Sequence, residues 1–145
     1  MVDFSSLQMT APTAPVSGVG LGGRTPHGAR GEFTSTVAVT TADRVIMFNI
    51  PPRSRIVSGF LKTTDMDSNG APTLALNVGT VANPTLFFAG STIAQTGGAV
   101  GMFSNGLDFV TTARTAVIIT PSANAATFAN GTIVLVINYW NEEPA

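Results

Sequence analysis

Beyond residue 32 the chain alternates apolar and polar positions with a period of two. Residues 33–41 set Phe33, Val37 and Val39 on one face against Thr34, Thr36 and Thr40 on the other, which predicts a strand. Similar runs predict strands over residues 45–50, 53–64, 73–78, 100–104, 107–111 and 115–120. Residues 85–98 read either as a strand or as a short helix opening at Leu86-Phe87-Phe88. The last run, 132–140, carries Ile133, Leu135, Ile137 and Tyr139 on one side and Val134, Val136 and Trp140 on the other. An apolar strand of this kind is expected at the centre of a sheet, covered on both faces.

The punctuation between these runs agrees with a β fold. Asn69-Gly70, Asn105-Gly106 and Asn130-Gly131 each fall between strand-like segments and predict type I′ hairpin turns. Gly59, inside a predicted strand, marks a bulge or a close backbone approach. Many short strands and no long helix define an all-β chain, folded as a single β-sandwich or a jelly-roll-like domain over residues 32–145.

Residues 1–31 lack either period. Pro12, Pro15 and Pro26 oppose helix, and the many glycines resist order, so this segment reads as an extended N-terminal arm with apolar anchors at Phe4, Leu7 and Met9. Such an arm is expected to take a fixed shape only on a partner surface.

Composition sharpens the picture. A chain of 145 residues suggests one domain and is long enough to bury a core unaided. The absence of cysteine removes disulfides and thiolate chemistry. The N-terminus shows no basic and apolar regions of a signal peptide, and no apolar run is long enough to span a bilayer. A net charge of -1 gives little drive toward nucleic acid or anionic membranes. Between Ala71 and Asn141 the only charges are Asp108 and Arg114. An ordinary domain would carry roughly 18 over such a stretch. A surface this neutral suits a protein covered by neighbours in an assembly.

Several patterns imitate chemical sites. Gly18, Gly20 and Gly23 match a dinucleotide fingerprint, but Pro-rich sequence precedes them and Arg24-Thr25-Pro26 follows, where a strand and a helix are required. Residues 65–70 match the start of a Ca²⁺ loop, but Leu76 stands where the bidentate glutamate belongs, so a polar turn is the expectation. His27 is the single histidine and falls in the arm, with no second ligand for zinc and no rigid base–nucleophile pair; it is expected to face solvent. Asp108 is the lone acid between Ala71 and Asn141 and is expected to pair with a base or cap a turn. Asn130-Gly131-Thr132 is a glycosylation sequon that a turn also explains. Tyr139 and Trp140 could stack on a sugar, but at the end of a core strand packing is the expectation. No catalytic residue, cofactor site or metal site follows from these patterns, and the chain reads as structural rather than enzymatic.

Two segments carry a family resemblance. Asn49-Ile-Pro-Pro-Arg-Ser-Arg-Ile-Val-Ser-Gly-Phe-Leu-Lys-Thr-Thr-Asp65, followed by Leu74-Ala-Leu-Asn-Val-Gly-Thr80, resembles small structural proteins of tailed bacteriophages. So does the closing Phe128-Ala-Asn-Gly-Thr-Ile-Val-Leu-Val-Ile-Asn-Tyr139. The likeness spans residues 50–140 and is strongest to capsid decoration (cement) proteins. It implies a β-sandwich on the outer surface of the virion, assembled in the host cytoplasm. The implied partner is the major capsid protein, and the implied oligomer a homotrimer. Nucleic acid and membrane are not implied partners. The arm, which departs from the family pattern, then supplies the capsid contacts Phe4, Leu7, Met9, Pro12, Pro15 and Val16. A tail, fibre or head-spike subunit is the alternative within this class, and a carbohydrate-binding module the alternative outside it.

Overall fold

A computed structural model describes residues 3–5, 26–102 and 106–142. Their strands are β1 (Asp3–Ser5), β2 (Pro26–Ser35), β3 (Arg44–Ile50), β4 (Ser54–Thr63), β5 (Ala75–Thr80), β6 (Phe88–Ser91), β7 (Gly98–Gly101), β8 (Thr115–Ala123) and β9 (Gly131–Asn141). The ambiguous segment 85–98 resolves into β6 and a single 3-10 turn, Ile93–Gln95. Strands β2 to β9 build two antiparallel sheets, in the orders β3-β8-β5-β6 and β2-β9-β4-β7. This is the strand order of a jelly roll. β1 adds to the first sheet, parallel to β3, with Phe4 opposite Val45.

The period-two pattern places the core between the layers. Val45, Phe48, Val78, Phe88, Val117 and Ile119 project inward from the first sheet, against Ile56, Leu61, Ile133, Leu135, Ile137 and Tyr139 from the second. β9 is hydrogen-bonded to β2 on one side and β4 on the other, so it is central, as its sequence requires. It is covered fully on one face only. Val134, Val136 and Trp140 are half-buried, because a two-layer fold has a single interior and these side chains point away from it.

The strands of the two antiparallel sheets begin at Pro26, earlier than the expected Glu32. β2 pairs with β9 over its full length, from Pro26 opposite Trp140 to Ser35 opposite Gly131. Pro26 occupies the first strand position, where a missing N–H is tolerated. Gly31 looks like a flexible residue but serves packing: a Cβ there would lie 2.9 Å from the Met47 carbonyl and 3.1 Å from the Phe48 ring. His27 therefore lies in a strand rather than in an arm.

The predicted strand over 33–41 ends at Ser35. Asp43 Oδ2 accepts the Thr40 N–H and the Thr40 hydroxyl, each at 3.0 Å, and this turns the chain before β3. Residues 107–111 form no strand; a single bridge joins Arg55 to Val110. Of the predicted Asn-Gly turns, Asn105 lies outside the described residues. Asn69, Gly70, Asn130 and Gly131 all lack the positive φ that a type I′ turn needs. Gly131 instead opens β9, where a Cβ would strike the Met66 side chain at 2.5 Å. Gly59 is a close approach, as expected: a Cβ there would sit 2.7 Å from the Val136 carbonyl. The neighbouring register shift between Ile56 and Ser58 supplies a bulge.

Candidate interaction surfaces

The loops gather at two rims of the sandwich. Residues 36–43, 64–74, 92–97 and 124–130 lie at one rim, which carries Asp43, Asp65 and Asp67. Residues 51–53, 81–87 and 106–114 lie at the other, together with the end of β9, and it carries Arg53, Arg55 and Arg114.

At the first rim, Asp67 is 1% exposed and holds two loops together. Its Oδ2 accepts N–H groups from Thr73 at 2.8 Å, Leu74 at 3.0 Å and Ala126 at 3.0 Å. Its Oδ1 accepts the Thr127 N–H at 2.9 Å. Burial alone would raise the pKa of this carboxyl. The four backbone donors outweigh that cost and hold it well below the usual carboxylate range. Asp65 Oδ1 accepts the Asp67 N–H at 3.0 Å, and Asn69 Oδ1 accepts the Ala71 N–H at 2.9 Å. The oxygens that resemble a Ca²⁺ loop in the sequence are thus directed at backbone amides.

At the second rim the backbone is strained. Arg53 and Asp108 are the non-glycine residues with positive φ among the described residues, at 58° and 64°. Each is held by main-chain bonds. Arg53 donates its N–H to the Thr111 carbonyl at 2.8 Å and accepts that of Glu142 at 2.6 Å, while Asp108 donates to the Ile56 carbonyl at 2.9 Å. The Thr111 hydroxyl, buried, donates to the Pro51 carbonyl at 2.6 Å and accepts the Ser54 N–H at 2.9 Å. Arg55 pairs with Glu142 and, at 3.6 Å, with Asp108. Asp108 thus has the basic partner its sequence context predicts.

A third surface is the outer face of the β2-β9-β4-β7 sheet. Across it, Arg30, Val136, Phe60 and Gly101 form one row, and Glu32, Val134, Lys62 and Ala99 the next. Phe60 is 40% exposed. Arg30 and Glu32 form an ion pair at 2.9 Å beside this apolar stripe. Trp140 lies on the same face opposite Arg55. Tyr139 points the other way, is buried, and stacks on His27 with ring centroids 5.5 Å apart; burial raises its phenol pKa. The two aromatic residues therefore form no joint sugar platform. His27 is half-buried, and Asn141 Nδ2 donates to its Nε2 at 3.2 Å.

Phe4 is in β1; Leu7, Met9, Pro12, Pro15, Val16 and the glycines 18, 20 and 23 lie outside the described residues. Among the described residues no three histidine, cysteine or carboxylate side chains converge in a metal site. What these elements provide is binding surface. Sequence reasoning missed the two strained rim residues, because a left-handed arginine leaves no compositional signal. It undervalued Asp67, whose placement ahead of Asn69-Gly70 did signal a structured turn.

Fold and surface together define a jelly-roll domain that presents binding surface at its rims and on one sheet face. In solved structures, a chain of the cyanophage Pam1 capsid asymmetric unit is 32% identical, with a TM-score of 0.78, over 90% of this chain and 96% of that one. The chain belongs to the family of that cyanophage capsid chain, and it is a structural component of a phage capsid. A chain of the Ralstonia phage GP4 capsid shares the fold at 22% identity and a TM-score of 0.77, covering 99% of this chain and 100% of that one. A chain of the acid-stable capsid of Helicobacter pylori bacteriophage KHP30 shares it at 14% identity and a TM-score of 0.61, covering 82% and 90%. A scan of protein-family models finds no match, and neither does a search of curated proteins.

Proposed function

We propose that this protein is a capsid decoration, or cement, protein. It binds the outer surface of the shell formed by the major capsid protein and bridges neighbouring subunits. The observation that carries this reading is the outer face of the second sheet. Phe60, Val134 and Val136 form an apolar stripe on a chain whose second half is almost free of charge. Exposed sheet faces of this kind are covered in assemblies. We assign that cover to further copies of the chain, in a homotrimer, with Phe4, Leu7, Met9, Pro12, Pro15 and Val16 adding contacts along the shell. Many copies then make weak individual contacts strong in sum.

The test is reconstitution. Shells of the parent phage lacking this protein are mixed with the purified chain and imaged by cryo-electron microscopy. Trimeric density on the shell exterior, with a raised temperature of shell disruption, is the expected result. Density confined to a tail, fibre or head spike would overturn the reading.

A further inference from the structure

We propose that the Arg53/Arg114 rim is the end of the sandwich that faces the shell, and that it docks on an acidic protein surface there. The inference rests on the decoration reading and adds an orientation and a partner chemistry to it. In a chain this poor in charge, the placement of each cation is informative. Arg55 is neutralised within the rim by Glu142 and Asp108. Arg53 and Arg114 are exposed and have no ion-pair partner among the described residues. They sit together, because the Arg53 N–H is tied to the Thr111 carbonyl at 2.8 Å and Ile50 pairs with Thr115. The opposite rim carries Asp43, Asp65 and the buried Asp67 against Arg44 alone, and the arginine rim carries Arg53, Arg55 and Arg114 against Asp108 and Glu142, so the long axis of the sandwich runs from net negative to net positive.

A second, independent observation is the strain. Arg53 and Asp108 hold a conformation that costs about 1–3 kcal/mol each and that concentrates at functional positions. At Arg53 the main-chain bonds on both sides fix the backbone from which the guanidinium projects. Apolar contact area lies beside the charges. Val81 is 61% exposed and Leu107 is 41% exposed, both at this rim. Two free cations flanked by exposed aliphatic side chains form a surface suited to carboxylates in an otherwise neutral contact.

The experiment uses shells of the parent phage lacking the protein and measures binding by co-sedimentation across a salt series. The double variant R53E/R114E tests the rim, and A42E/A71E adds negative charge at two exposed positions of the opposite rim. Melting curves confirm that both variants fold. R53A/R114A removes the charge without reversing it, and its salt series is read where the reversal impairs folding. The expected result is roughly 100-fold weaker binding for R53E/R114E, since reversal sets like charges against each other. The alanine pair should bind more weakly and with a shallower salt dependence than wild type, while A42E/A71E binds as wild type does. Wild-type affinity and salt dependence in both Arg53/Arg114 pairs, or loss of binding in A42E/A71E, would overturn the orientation and leave the decoration reading standing. Failure of the wild-type chain to bind shells at all would overturn both.

Discussion

Asp67 accepts the backbone N–H of Thr127 at 2.9 Å across a sequence separation of 60 residues. That bond, with those from Thr73, Leu74 and Ala126, fastens the loop after β4 to the loop before β9. Replacing Asp67 by alanine leaves five amides without their acceptor, the fifth being the Asn69 N–H at 3.4 Å, and we expect Tm to fall by more than about 10 °C. Asp65→Ala, which removes a single exposed acceptor, should change Tm by a few degrees at most.

The same carboxylate sets an acid limit. Its pKa is depressed in the folded state, so its contribution is complete above the unfolded value of about 3.9 and disappears as pH falls through the folded one. Tm of the wild type should be flat from about pH 7 to 5 and drop below about pH 4. Asp67→Asn should start lower and lose part of that acid slope. Because the Asp67 oxygens already hold backbone donors, EDTA should leave the wild-type Tm unchanged.

Leu135 and Val136 are neighbours on opposite faces of β9. Leu135 is fully buried, and Leu135→Asp places an unpartnered charge in the core, at a cost comparable to the whole stability of about 5–15 kcal/mol. That variant should be insoluble or unfolded by circular dichroism. Val136→Asp, on the outer face, should fold as a monomer and fail to form the trimer. Light scattering distinguishes about 15 kDa from about 45 kDa, three times the 14.9 kDa chain.

Thr63 carries a buried hydroxyl without a hydrogen-bond partner among the described residues. Thr63→Val keeps the shape and the strand preference and removes that group. We expect a gain of about 1 kcal/mol, read as a rise in Tm of a few degrees. A fall in Tm would show that the hydroxyl has a partner in solution.

Gly31 and Gly70 give opposite expectations. A methyl group at Gly31 meets the Met47 backbone at the contact between β2 and β3, and Gly31→Ala should cost about 1–3 kcal/mol. Gly70 has open space around it and no positive φ, so Gly70→Ala should be neutral or gain about 0.4–1 kcal/mol. Urea denaturation of both variants measures the difference.

The jelly roll was legible because its core strands alternate: Ile133, Leu135 and Ile137 announce an inner face that the structure then buries. Segments that depart from alternation for a packing reason were not legible. Gly28 and Gly31 read as signs of an arm, although Gly31 is a glycine because β3 passes against it. Asn69-Gly70 and Asn130-Gly131 read as tight hairpins, although they belong to longer loops organised by Asp67. For the outward apolar residues Val134 and Val136 the sequence predicts cover, but it does not distinguish cover by the same chain from cover by another. At the rim, the loop over 107–111 has the composition of a strand, and only the main-chain bonds around Asp108 show that it is not one.

The position of β9 between β2 and β4 also governs how the molecule forms. β2 has no partner in the second sheet until residues 131–141 are available, β4 has only the short β7, and the β2–β9 ladder joins segments about a hundred positions apart. Contacts this remote must overcome loop closure before they stabilise anything, which places folding in the range of about milliseconds to seconds. During synthesis the first sheet and the β4–β7 pair precede β9 in the chain, whereas β2 is held in its sheet by β9 alone. Completion of the second sheet therefore waits on β9, the one strand that joins β2 to β4.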